Sequence, residues 1–291
     1  MADKELVTQV EGLPDYLRAV HKTAKFGNVD KTDMIIPRVK LLQAISSEVT
    51  TFNNARAGNF WHTIAEEPLG NSISGIPIVI RKTYALWAPR NDDRGILARA
   101  NDGIHWDQPG AEFTIQPKNS PNKVTYKLGK TVQENGMDQF GSSIPGNSNS
   151  VPAASLTYHV MWWFPQFQEY SPAIIINTRS SVKKAKMLIS KIELRPVNHY
   201  AQKFLISSVQ EQGEEGPFWN YVYTSDGYAT REEYQWAEAL FNSYAEAEFI
   251  PSEESDDTVA PANGEGPTGV VEQAKSGETA QTDPTANRPR F

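Results

Sequence analysis

Two runs of lysine and arginine are the residues in this chain best suited to chemistry, and the chemistry is phosphate binding. Between Arg179 and Lys203 stand seven bases (Arg179, Lys183, Lys184, Lys186, Lys191, Arg195 and Lys203) against one acid, Glu193. A second run, Lys118 to Lys130, carries Lys118, Lys123, Lys127 and Lys130 with Tyr126 and no acid. Cations along one face neutralise successive phosphates, and rings set among them give unpaired bases a surface to stack on. Taken alone, each run also reads as the solvated face of a helix or hairpin.

The aromatic residues favour the binding reading. Side chains of a strand alternate between its two faces. In ASLTYHVMWWF, Leu156, Tyr158, Val160, Trp162 and Phe164 form a core face, which leaves Thr157, His159, Met161 and Trp163 on the other. Tyr84 and Leu86 join Ile76, Ile78 and Ile80 inside, so Arg81 and Trp87 are expected outside. Trp219, Tyr221 and Tyr223 share a face, and for Trp219 and Tyr221 burial in a two-layer β domain is as good a reading as exposure. The expected nucleic-acid surface is therefore Arg81, Trp87, Lys123, Tyr126, Lys127, Trp163, Arg179, Lys183, Lys184, Lys186, Trp219 and Tyr221.

Catalytic signatures are weak by comparison. Gly129, Lys130 and Thr131 imitate the end of a phosphate-binding loop, but that loop needs glycine where this chain has Val124. The five histidines, His21, His62, His105, His159 and His199, lack metal-ligand spacing. Asp92, Asp93 and Asp102 flank a turn beside Arg90, Arg94 and Arg99, and a magnesium-dependent nuclease is the enzymatic alternative they allow. With no cysteine, thiolate metal sites, disulfides and cysteine nucleophiles are excluded. No cofactor or metal is expected, and the leading reading is not an enzyme.

These residues must be positioned by a β-rich body. Residues 1–58 read as a helical and irregular lead-in, with Pro14 suited to the first turn of a short helix. From 59 to 250, short apolar and aromatic runs divided by turn residues predict strands near 75–88, 96–106, 111–116, 123–128, 154–164, 171–178, 202–210 and 218–224. Residues 135–152 form a long Gly-, Ser- and Asn-rich loop. SVKKAKMLISKIE, residues 181–193, places Val182, Ala185, Leu188, Ile189 and Ile192 on one helical face and its lysines largely on the other. A last helix over 230–249 opens with Thr230 and Glu233 at capping-box spacing. A helix before the last two strands is the order of an OB-fold, a small Greek-key barrel, with 96–128 as an insertion. The fold class is thus mainly β with α, an OB-like barrel closed by a C-terminal helix.

Residues 251–291 differ in kind. They hold eight acids, three bases and one aromatic, Phe291, so a net -5 of the chain's formal -7 lies there and -2 remains for residues 1–250. So little apolar surface cannot offset the entropy of ordering, and the segment is expected to be a disordered acidic tail. The N-terminus MADKELVTQVEG has no basic region followed by an apolar run, and no apolar stretch is long enough to span a bilayer. A soluble cytoplasmic protein with no membrane partner is the expectation.

The strand run ASLTYHVMWWFPQFQEYSPAIIINT, the basic helix SSVKKAKMLISKIELRP, the pair QKFLISSVQ and FWNYVYT, and the acidic tail ending in Phe291 together resemble the phage-type single-stranded DNA-binding proteins, broadly those of T7-like phages. The resemblance covers roughly residues 70 to 291 and rests on order and composition. It implies non-specific binding of single-stranded DNA on an OB-fold, in the host cytoplasm, during replication or recombination. It also implies that Phe291 reaches replication or recombination proteins, although Arg288 and Arg290 stand where the class carries acids. A virion structural or assembly protein, its aromatic surface meeting a neighbouring subunit, is the third reading.

Overall fold

The computed structural model describes residues 36–88, 94–115, 123–134, 136–139, 142, 154–167, 172–213 and 216–246. The tail with Phe291, the helix expected after Pro14, Lys118, Arg90, Asp92, Asp93 and most of the 135–152 loop lie outside these residues. Chain packing separates Met1–Thr258 from Val259–Phe291, and all described residues belong to the first unit.

The protein is mainly β with three short α-helices among the described residues. In chain order the elements are β1 (Val39–Leu41), α1 (Ser47–Thr51), β2 (Phe60–His62), β3 (Glu67–Gly70), β4 (Ser72–Trp87), β5 (Ile96–Ala100), β6 (Glu112–Ile115), β7 (Val124–Lys127), β8 (Ala154–Trp163), β9 (Ala173–Thr178), α2 (Val182–Glu193), β10 (Gln202–Gly213), β11 (Gly216–Tyr228) and α3 (Arg231–Tyr244). The main sheet runs β11-β10-β4-β8-β9, all antiparallel, and β5 also pairs with β4. A three-stranded sheet β1-β2-β3 and the hairpin β6-β7 complete the β structure.

Long strand β4 organises the body. Its early residues pair with β10, its later ones with β5, and most of its length with β8. The register against β8 shifts between Pro77 and Val79. Proline cannot donate to the ladder, so it sits at a bulge, and the extra residue lets neighbours Ile78 and Val79 both pack on the outer face. Trp162 and Val160 point the other way, into a first core closed by β1, β2, β3 and α2. In that core Trp162, Tyr223 and Tyr221 stack in series, with centroids 5.8 Å and 6.0 Å apart, and Phe60 continues the series 6.1 Å from Tyr221.

The sheets do not close into a barrel, in contrast to the Greek-key barrel expected from the element order. Edge strands β9 and β11 do not pair with each other; residues 37–43 lie along both. The Ile174 N–H donates to the Pro37 carbonyl at 2.8 Å. The Gln43 side chain accepts the Trp219 N–H at 2.8 Å and donates to the Trp219 carbonyl at 3.0 Å. The segment read as an irregular lead-in thus includes a strand that adds Val39 and Leu41 to the first core.

Trp219 is seated by a glycine. Gly58 has φ +86°, and a Cβ there would lie 2.8 Å from the indole of Trp219. Gly58→Ala is expected to cost about 1–3 kcal/mol through left-handed strain and displacement of the ring. Urea unfolding checks this, and an unchanged midpoint would mean that the ring is not seated on Gly58.

The outer face of the main sheet is covered, not solvated. Met161, Ile174, Ile76, Ile78 and Tyr200 are buried there, with Trp163 and the α3 residues Tyr234, Leu240, Phe241 and Tyr244 packed against them. Helix α3 begins with the expected capping box: the Glu233 N–H donates to Thr230 Oγ1 at 3.3 Å, and the Thr230 N–H donates to Glu233 Oε2 at 2.7 Å. A separate cluster of Leu86, Leu97, Trp106, Leu128 and Val132 holds β5 and the β6-β7 hairpin against the far end of β4.

Candidate nucleic-acid interface

Helix α2 forms because Ala185, Leu188 and Ile192 recur at helical spacing and bury against the first core. Its other faces sort the basic residues into two groups. Lys184 pairs with Glu211 at 2.7 Å, and Glu211 also accepts from Asn220 at 2.8 Å. Those two hydrogen bonds, Lys184 first, hold the Glu211 carboxyl below its usual range. Lys191 donates to the Tyr223 carbonyl. Arg195 donates to the Gly227 carbonyl and the Ser225 hydroxyl and lies 5.0 Å over the Tyr228 ring. Lys203 pairs with Glu233 at 2.8 Å. These four cations tie β10, β11 and the start of α3 together.

Lys183 and Lys186 remain on the solvent side. With Met187, Ser190, Lys191 and Leu194 they line a shallow open groove. Met187 is 50% exposed and Leu194 84%. The first turn of α2 has no acid and no side-chain cap, and Lys183 and Lys184 stand there. A helix N-terminus carries partial positive charge, so lysines in the first turn are disfavoured unless an anion offsets them. Arg179, just upstream, is exposed and adopts a left-handed φ of +51°.

The remaining candidates divide clearly. Trp87 is exposed at the end of β4, as expected. Lys123 is exposed beside β7; Lys127 faces solvent with Glu112 3.6 Å away, a contact of little energy at that exposure. Tyr126 packs partly into the second cluster, and burial raises its phenol pKa. Arg81 and Trp163 lie beneath α3 instead of facing solvent: Arg81 donates to the Ala245 carbonyl at 3.0 Å, and Trp163 packs in the cluster under that helix. Tyr221 is a core residue, 8% exposed in the aromatic series, and Trp219 is half-buried on Gly58. The alternation placed the rings of β8 and β11 on their correct faces, but both faces of the sheet are covered; on β4 the bulge at Pro77–Val79 breaks the expected single face, so Ile76 and Ile78 lie on the outer face with Arg81 while Ile80 and Tyr84 point the other way. Exposed Met187 on α2 and Leu194 just after it were missed, because neither belongs to the apolar face that the helical spacing marked and nothing local singles them out.

Asp102, the described member of the acidic turn, is already committed. Its carboxylate accepts the backbone N–H of Ile104 at 2.8 Å and of His105 at 2.7 Å, and contacts the His105 ring at 2.7 Å. Partial burial pushes its pKa up, but these bonds outweigh it and leave the group below its usual value. Among the described residues no group of three or more His, Asp or Glu could hold a metal ion. No described helix is long and apolar enough to cross a membrane.

The family described as Pam3 phage gp34-like protein matches residues 4–249, which is 246 of the 291 residues. The chain belongs to this family, and the match suggests a bacteriophage origin. No curated protein and no solved structure matches the chain.

Proposed function

We propose that the protein is a non-enzymatic, non-sequence-specific single-stranded DNA-binding protein acting in phage replication or recombination. The observation that carries this reading is the solvent face of α2. There Lys183 and Lys186 stand without an ion-pair partner among the described residues, beside exposed Met187 and Leu194, on a body that is otherwise slightly acidic. Lysines follow phosphates, and apolar side chains beside them take the faces of unpaired bases. The fold is read as an opened OB-fold. In support, β4, β8, β9, β10 and β11 come in the chain order of the five strands of such a fold, with β5, β6 and β7 inserted after the first and α2 between the third and fourth. Residues 37–43 take the place of direct closure. The acidic tail would reach replication or recombination partners.

The test is binding of the full chain to a labelled oligo(dT) and to a duplex of equal length over a salt series, with and without magnesium. The expected result is preference for the single strand, an affinity that falls linearly on a log-log salt plot, and intact oligonucleotide throughout. Loss of label with magnesium would favour the nuclease; no salt-sensitive binding at all would favour the virion protein.

A further inference from the structure

A row of nitrogen bases crosses the outer face of the main sheet. Arg81 on β4 stands opposite His159 on β8, and Arg38 lies on the segment that bridges to β9. Arg38 turns to this side because Val39 and Leu41 alternate into the first core. Arg81 is engaged by the end of α3. The other two are left short of partners. The Arg38 guanidinium makes no hydrogen bond or ion pair among the described residues, and its Nε is shielded from solvent. His159 is only 8% exposed; its Nε2 meets Thr83 Oγ1 at 3.0 Å, and its buried Nδ1 has no partner among the described residues. Burial first, and the charge of Arg38 second, lower the imidazole pKa to about 4, and no described carboxylate offsets them.

Buried polar groups are nearly always satisfied, and an unsatisfied one reduces stability. A cation beside an imidazole, both lacking an acceptor, has the charge and the donors for an anion. We propose that Arg38 and His159 form a phosphate site that takes a phosphodiester group of single-stranded nucleic acid, with Arg38 as the cation and the His159 Nδ1–H as second donor. The site rests on the reading of α2 as a nucleic-acid surface and adds a contact on the opposite side of the sheet. The site requires the tautomer in which the Thr83 hydroxyl donates to Nε2, 3.0 Å away, and the proton stands on Nδ1. Arg38 is partly exposed while its Nε and the His159 Nδ1 are shielded, so a phosphate would approach from the Arg38 side and displace what shields Nδ1.

The test compares full-length wild type with Arg38→Gln, Arg38→Lys and His159→Gln, measuring thermal midpoint, oligo(dT) affinity against salt, and the His159 ring signals by NMR. Arg38→Gln is expected to keep or raise the midpoint, weaken oligo(dT) binding about fivefold at 0.1 M salt and lower the log-log salt slope by about 0.7. Arg38→Lys restores the slope. His159→Gln, whose amide replaces Nε2 but not Nδ1, weakens binding about threefold to tenfold with the slope unchanged, and it provides the reading if Arg38→Gln does not fold. A lowered midpoint with unchanged oligo(dT) affinity would make Arg38 a structural residue and overturn the site. His159 signals moved by inorganic phosphate but not by oligo(dT) would overturn the assignment to a polynucleotide. If wild type binds oligo(dT) and only Lys183 and Lys186 control it, this site alone falls. If wild type binds none, the reading of α2 falls with it.

Discussion

Trp162→Ala should lower the unfolding free energy by roughly 3–5 kcal/mol, the range for removing a large ring from a close-packed core. Trp162 is fully buried between Phe204, Phe164 and Tyr223, and the Tyr223 ring is parallel to it within 6°. Its removal also ends the series that continues through Tyr221 to Phe60, so β8, β11 and β2 no longer share one stack. Trp163→Ala removes a half-buried ring beneath α3 and is expected to cost less. Urea unfolding of both variants checks the order, provided the slope with denaturant is unchanged. A cost below about 1 kcal/mol for Trp162→Ala would contradict the packing described for the first core.

Lys183→Ala combined with Lys186→Ala should weaken single-strand binding roughly 25-fold at about 0.1 M salt, because each neutralised phosphate of a single strand adds about 0.7 to the log-log slope. Removing both cations therefore gives about 1.4 decades at that salt, and the difference vanishes toward about 1 M. Both side chains are exposed, so the thermal midpoint should hold. Lys184→Ala is the contrast. It leaves Glu211 without its cation and should cost at most about 1 kcal/mol of stability at this partial exposure, with the salt slope untouched. If Lys184→Ala changes the slope and the double variant does not, the phosphate-facing side of α2 is the one toward β10 and β11.

Much of the body was legible in the sequence because its signals are local. Alternation marked β8 and β11, helical spacing marked α2, and Thr230 with Glu233 marked the start of α3; each depends on neighbours a few residues away. Short β1, β2 and β3 were not legible. Val39–Leu41 is too brief for a period to register, and it is a strand only because β2 and the edge of β9 supply its partners. The basic residues were legible as a cluster but not as a site. Spacing alone cannot distinguish Lys184, which meets Glu211, from Lys183, which faces water, because Glu211 lies 27 residues away in the chain.

The sequence by itself determined a β-rich body, an amphipathic lysine helix between strands, a capped final helix and the faces of the aromatics on β8 and β11, but not the bulge that switches faces within β4. Only the tertiary structure decided which faces meet solvent. Covering both sides of a sheet removes more apolar surface from water than covering one. Helix α3 therefore hides Trp163, the aromatic series hides Tyr221, and Arg38 and His159 come to stand together on a face where neither has a neighbour in sequence to reveal it.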